Sequence, residues 1–181
     1  MTATTLDQNT ALIMIDLQKG IVALAAELGA DEVLANSDKL ATAFRERGLP
    51  VVHVNVTGGA PGRTELNRSL GELPADWAEL VLPVAEGDVL VTKQTWGAFH
   101  RTGLDAALRE RGVTQVVITG IATSAGVEST ARAAHEHGYN VTVATDAVAD
   151  RDPVAHDHSV SRVFPKLGET GTTAELLALL G

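Results

Sequence analysis

The chain has 181 residues, of which 45% are apolar and 20% charged, an ordinary globular composition with room for one domain and a substantial core. A net charge of −9, with the two signs interspersed, points away from nucleic acid and from an anionic membrane surface as partners. There is no cysteine, which excludes disulfides, thiolate metal sites and thiolate catalysis. No apolar run is long enough to span a bilayer, and the N-terminus lacks a basic segment followed by an apolar one, so the expected location is the cytoplasm.

Short β-branched runs alternate with helical patterns from end to end. Ala11 to Ile15 predicts a first buried strand that closes on Asp16. Asp31 to Arg47 has helical spacing, with Val33, Leu34, Leu40, Ala41 and Phe44 as its apolar stripe, and Gly48 ends it. Val51 to Val56 and Val89 to Thr92 predict the second and third strands, the latter ending at Lys93. Thr102 to Arg111 predicts a helix stopped by Gly112, and Gln115 to Thr119 a fourth strand. Gly126 to His137 predicts a helix stopped by Gly138, Asn140 to Thr145 a fifth strand, and Pro153 to Phe164 a helix. Thr172 and Glu175 have the spacing of a capping box for a last helix, Ala174 to Leu180. Continuous apolar strands separated by helices imply a mainly parallel sheet covered on both faces, a Rossmann-like three-layer α/β/α sandwich in one domain, residues 1–181. Thr57 to Pro83 is too long and too rich in Gly and Pro for an ordinary connection, which is the mark of a lid or binding loop.

In an open parallel sheet ligands bind beyond the carboxyl ends of the strands. Three strand ends bring chemistry there: Asp16, Lys93 and the small-residue turn Ala122, Thr123, Ser124, Ala125, Gly126. A carboxylate and an ammonium converging in a dry pocket shift each other's pKa and can share proton transfer. Each also has a plainer role, Asp16 as a turn cap and Lys93 as a solvated strand-end charge. The stretch from Val116 to Gly126 reads strand, tight turn, helix start, the geometry on which a nucleophile is often mounted. At Gly126 that position has no side chain.

The segments IDLQ (Ile15 to Gln18), TKQTWGAFHRTGLDAAL (Thr92 to Leu108) and GIATSAGVESTAR (Gly120 to Arg132), in this order, resemble the isochorismatase-like cysteine-hydrolase superfamily over essentially the whole chain. The resemblance implies an Asp–Lys–Cys triad at the strand ends, with Asp16 and Lys93 in the first two places and Gly126 in the cysteine's. It implies a non-proline cis peptide at Ala122–Thr123. It also implies a homo-oligomer, a dimer or tetramer. Amidases of this superfamily need the thiolate, so their covalent route is closed here. Isochorismatases proper are similar to this chain in carrying glycine there. By that likeness Asp16 would be a general acid in vinyl-ether cleavage, Lys93 would assist, and backbone N–H groups near Gly126 would hold an oxygen. Their turn typically has a tyrosine and a histidine where this chain has Ala122 and Ser124, so the substrate need not be isochorismate. A non-catalytic small-molecule binding protein is the alternative from another class.

Other candidates have competing readings. Arg68 falls where the resemblance places a carboxylate-binding arginine, or it is solvated. Trp96 and Phe99 line the pocket or fill the core. Ser124 is a substitute nucleophile or, with Thr123, a helix cap. His100 follows the lysine motif and could line the pocket. His135, His137, His156 and His158 lack chelating spacing, and the second-strand loop has no histidine after His53, so neither metal nor other cofactor is expected. Glu128 and Arg132 have the i,i+4 spacing of a surface or subunit-contact pair.

Overall fold

A computed structural model of the chain describes residues 3–65 and 73–181. Six strands form one sheet in the order β3-β2-β1-β4-β5-β6, every pair parallel. They are β1 (Thr10–Ile15), β2 (Val51–Val56), β3 (Val89–Lys93), β4 (Gln115–Ile121), β5 (Asn140–Ala149) and β6 (Glu169–Gly171). The helices are α1 (Lys19–Leu24), α2 (Ala30–Glu46), α3 (Leu104–Glu110), α4 (Glu128–Glu136), α5 (Pro153–His158), α6 (Phe164–Leu167) and α7 (Thr173–Leu180). The mainly parallel α/β/α sandwich expected from the strand pattern is therefore what forms.

The side chains of β1 alternate between two cores because successive residues of a strand point to opposite faces. Ala11, Ile13 and Ile15 pack with α3, α4 and α6 through Leu104, Leu108, Ala131, Ala134 and Phe164. Leu12 and Met14 pack on the other face with Val33, Leu40 and Phe44 of α2 and Leu176 of α7. All six residues of β1 are buried, since the strand lies centrally with a helix layer on each side. The capping box at Thr172 and Glu175 is formed.

Several elements differ from their sequence-based boundaries. α1 and the three-residue β6 are too short to show a period. β5 continues to Ala149, through Thr145 and Asp146, where the alternation of apolar residues lapses. Its pairing with β4 shifts between Ile118 and Gly120. The helix expected from Pro153 to Phe164 is broken by a π-helical turn at Ser159–Val163, and a second such turn, Thr123–Val127, precedes α4.

At the amino end of the sheet a buried cluster ties α2 to β2 and β3. Arg45 grips Asp88 with Nη2 to Oδ2 at 2.6 Å and Nε to Oδ1 at 3.2 Å, and His53 Nε2 meets the same Oδ2 at 3.0 Å. Burial holds the His53 pKa below its usual value despite Asp88. Burial pushes the Asp88 carboxyl up, but hydrogen bonds from Arg45 and from the Ala85 N–H outweigh it and leave the pKa lowered. Both shifts disfavour acid. Below about pH 6.5 the unfolded chain takes up a proton that folded His53 refuses. The Asp88 contribution is lost only as pH falls through its lowered value. Asp88→Asn is expected to cost about 1–3 kcal/mol in chemical denaturation at pH 7, and the gap to wild type should narrow in strong acid. A gap independent of pH would contradict the assignment.

Candidate active site

The sheet order reverses at β1 and β4, so the crevice between their carboxyl ends is the topological switch point where such sheets bind ligands. Asp16 follows β1 directly. Its φ of 54° is in the left-handed region, which Asp tolerates better than most residues. Lys93 ends β3, and its extended side chain spans the end of β2 to reach Asp16. The Nζ to Oδ2 distance is 2.7 Å, and Nζ also donates to the Thr95 carbonyl at 3.1 Å. Both side chains are almost wholly buried, at 1% exposure for Lys93 and 6% for Asp16.

Two opposing effects set the charge of Asp16. Burial raises its pKa and Lys93 lowers it, and burial wins, leaving the carboxyl at about 6. Among the described residues, the buried side-chain polar atoms without a hydrogen-bond partner are Asp16 Oδ1 and Thr95 Oγ1. Both belong to residues bonded to Lys93 Nζ. Unsatisfied polar atoms are rare in folded interiors, and here they mark one place.

Asp16, Lys93, Gly126, Ala122 and Ala125 line a cavity of about 220 Å3, closed by Trp77, Trp96, Val56 and Ile121. A cis peptide joins Ile121 to Ala122, one bond earlier than the Ala122–Thr123 position expected. At Gly126 a Cβ would stand 3.0 Å from Ile15 Cγ2 and 3.1 Å from Asp16 Oδ2. Any side chain at this position would thus stand against the Asp16 carboxyl, and glycine keeps that space open. Gly126→Ala sets a helix gain of about 0.5–1 kcal/mol against this tight contact. The expected outcome is a stability change within about 1 kcal/mol and a displaced Asp16 carboxyl, read as at least a tenfold loss of turnover. Unchanged turnover would show that the space is not used.

The remaining candidates separate. Trp96 lines the cavity while 66% exposed. Phe99 does not reach it; the ring is in the core, stacked on His137 at 5.0 Å and beside Tyr139 at 5.9 Å. Thr123 is buried with its hydroxyl on His156 Nδ1 at 2.9 Å. Ser124 Oγ and N both bind Asp150 Oδ2 at 2.7 Å, so Ser124 faces away from the acid. Neither residue caps the helix through its side chain. The N–H groups of Ala125 and Val127 go to the Ala122 carbonyl, so with Ser124 three N–H groups of this turn are already bonded. His100 lies on a separate recess with Arg101 and Gln94. Glu128 pairs with Arg132 at 2.9 Å and accepts from Ser159. Arg68 lies outside the described residues. Among those described, no group of three or more His, Asp or Glu could hold a metal ion, and no helix is long and apolar enough to cross a membrane.

Sequence reasoning missed Trp77 and Arg151, which also line the cavity. Gln18 brings Trp77 there: its Oε1 accepts from the Val56 N–H and its Nε2 donates to the carbonyls of Val56 and Trp77. Trp77 lies directly on Gly20, where a Cβ would meet its ring. Arg151 had a signal available, since it follows the end of β5, but only once that strand is extended to Ala149.

A cavity at the switch point, holding a buried carboxyl bonded to a lysine, lies where open α/β sheets bind ligands. Comparison with known proteins identifies the family. Residues 10–175 match the Isochorismatase domain. The chain is 43% identical over 179 residues to the isochorismatase family protein YwoC of Bacillus subtilis, covering 94% of this chain and 93% of that one. It superposes on the solved structure of an isochorismatase family protein from Burkholderia thailandensis with a TM-score of 0.92 and 42% identity, covering 97% of each chain. It is also 29% identical over 184 residues to maleamate amidohydrolase of Pseudomonas putida, across 94% of this chain and 86% of that one. The chain belongs to the isochorismatase family of hydrolases.

Proposed function

We propose that this protein hydrolyses a small molecule without a covalent intermediate, with Asp16 as proton donor and Lys93 as its partner. The observation that carries this reading is the Asp16 carboxyl, raised to about 6 and with a free Oδ1, facing a cavity that Gly126 leaves open. A carboxyl with that pKa is partly protonated near neutrality and suited to general acid catalysis. The chain groups with those family members that have glycine in the nucleophile's place.

A vinyl ether is the bond that suits these groups. Asp16 gives its proton to the methylene carbon, and the resulting oxocarbenium ion takes up water. The adduct then loses the alcohol and leaves a ketone, with the water's proton restoring Asp16. Lys93 holds the carboxylate while it is charged. The test offers enol-pyruvyl ethers, following pyruvate, beside primary amides, following ammonia. Pyruvate release that depends on Asp16 supports the reading, and ammonia release without ether cleavage overturns it. Ligands that bind with no turnover of either class would favour a binding protein instead.

A further inference from the structure

Beside the reaction cavity the described residues form a second recess of about 480 Å3, at the carboxyl end of β3. Arg101, His100, Gln94, Thr92 and Thr95 line it, and the loop after β2 supplies the remaining wall. No acidic residue is among them, in a chain whose acidic residues outnumber Lys and Arg 23 to 14. The side chains of Arg101, His100 and Gln94 make no hydrogen bond or ion pair with any described residue. Thr95 Oγ1 is likewise without a partner, although buried. Only Thr92 is engaged, its hydroxyl on Asn55 Oδ1 at 2.8 Å. The fold thus collects donors here and leaves most of them unused.

Arg101 is also presented on a costly backbone. Its φ of 53° is in the left-handed region, which a long side chain with no local hydrogen bond rarely enters. The conformation is fixed from beneath. Thr102 Oγ1 donates to the Ala98 carbonyl and accepts from the Leu104 N–H, while the Ala98 N–H donates to Thr130 of α4. Strain kept at a residue whose side chain bonds nothing in the fold is the pattern of a binding site.

The donors suit a tetrahedral oxyanion. Arg101 supplies a fork, His100 and Gln94 further N–H groups and Thr95 a hydroxyl, so several oxygens can be held at once. The recess is larger than one such group, and no Trp, Phe, Leu, Ile or Val lines it, so the rest of the ligand is polar. The reaction cavity differs, with Trp77, Trp96, Ile21 and Ile121 in its walls. The two adjoin through residues 93–95: Lys93 lines one, Thr95 the other, and the Thr95 carbonyl accepts from Lys93 Nζ.

We propose that this recess is a second ligand site, for the phosphate group of a small polar phosphate ester, with Arg101 as its anchor. Binding there is independent of the chemistry assigned to Asp16 and is measured without turnover. The probes are glycerol 3-phosphate, inorganic phosphate and acetate at fixed ionic strength, titrated by calorimetry and by tryptophan fluorescence. Affinity is expected to fall in that order, with glycerol 3-phosphate about tenfold tighter than acetate. Arg101→Gln is expected to weaken glycerol 3-phosphate about tenfold, Arg101→Lys and His100→Gln less. Arg101→Gly is expected to lose binding and still unfold at no lower denaturant than wild type, because glycine accepts the backbone that strains arginine. Acetate binding as tightly as the ester, or affinity that survives Arg101→Gln, overturns the proposal. So does affinity lost in Arg151→Gln, which would put the anion in the reaction cavity. Arg101→Gly unfolding at markedly lower denaturant would make Arg101 a structural residue and overturn it as well.

Discussion

Asp16→Asn is expected to lower turnover about 10²–10⁴-fold, the usual contribution of a positioned general acid, with the fold retained. Asparagine keeps an oxygen for Lys93 Nζ, 2.7 Å from Asp16 Oδ2 in the wild type, but it has no proton to give. Wild-type turnover should fall as pH rises through about 6, where the carboxyl loses its proton. The residual activity of the variant should lack that limb. Stability provides a second reading. Folded Asp16 holds a proton between its unfolded value of 3.8 and about 6 that the unfolded chain has released. The fold therefore gains stability from this group as pH drops through that window, on the order of 3 kcal/mol in all. This slope is opposite to the one from His53, so it is isolated by the difference between wild type and Asp16→Asn. Asp16→Ala is harsher, because it leaves the buried Lys93 ammonium without its counter-charge, at about 3–5 kcal/mol. Full turnover in either variant would remove Asp16 from the mechanism.

Gly120→Ala is expected to prevent folding. Gly120 has φ +124°, and it pairs with Ile15 across β1 and β4 at the carboxyl edge. A Cβ there would lie 2.1 Å from the Ile15 carbonyl oxygen and 2.6 Å from its nitrogen. The obstacle is backbone of the central strand, one residue before Asp16, so no side-chain rotation relieves it. A cost above about 4 kcal/mol follows from overlap and a forced φ together, a large share of the stability of a domain this size. Gly48 is the matched control. It also has positive φ, +66°, but nothing stands within 4 Å of its Cβ position, so Gly48→Ala should cost only about 1–2 kcal/mol. Soluble expression and chemical denaturation of the pair distinguish the two. A folded Gly120→Ala protein near wild-type stability would mean that β1 and β4 can separate at this edge.

Much of the site was legible because it lies where strands end. Asp16 and Lys93 each close a short apolar run, and the rule that parallel sheets bind at that edge brings them together without a contact map. Phe99 was not legible, since an aromatic three residues from Trp96 has the same sequence signal whether it faces a pocket or the core. Only the packing of α3 and α4 put it against His137 and Tyr139. The Ser124 hydroxyl was equally open until Asp150, 26 residues away, took it.

By itself the sequence determined the parallel architecture, through strands buried on both faces and helices with clean stops. It also closed the thiolate route, because Gly126 has no side chain and the chain no cysteine. Tertiary structure decided the charge state of the site and the lining of its cavity. The Asp16 pKa is a balance between burial and a lysine 77 positions away, and neither quantity exists before the sheet assembles. The arginine in the cavity wall depends on β5 continuing past a polar stretch to bring Arg151 to the edge. Local propensity cannot report that, because long-range pairing with β4, not the strand's own residues, extends it.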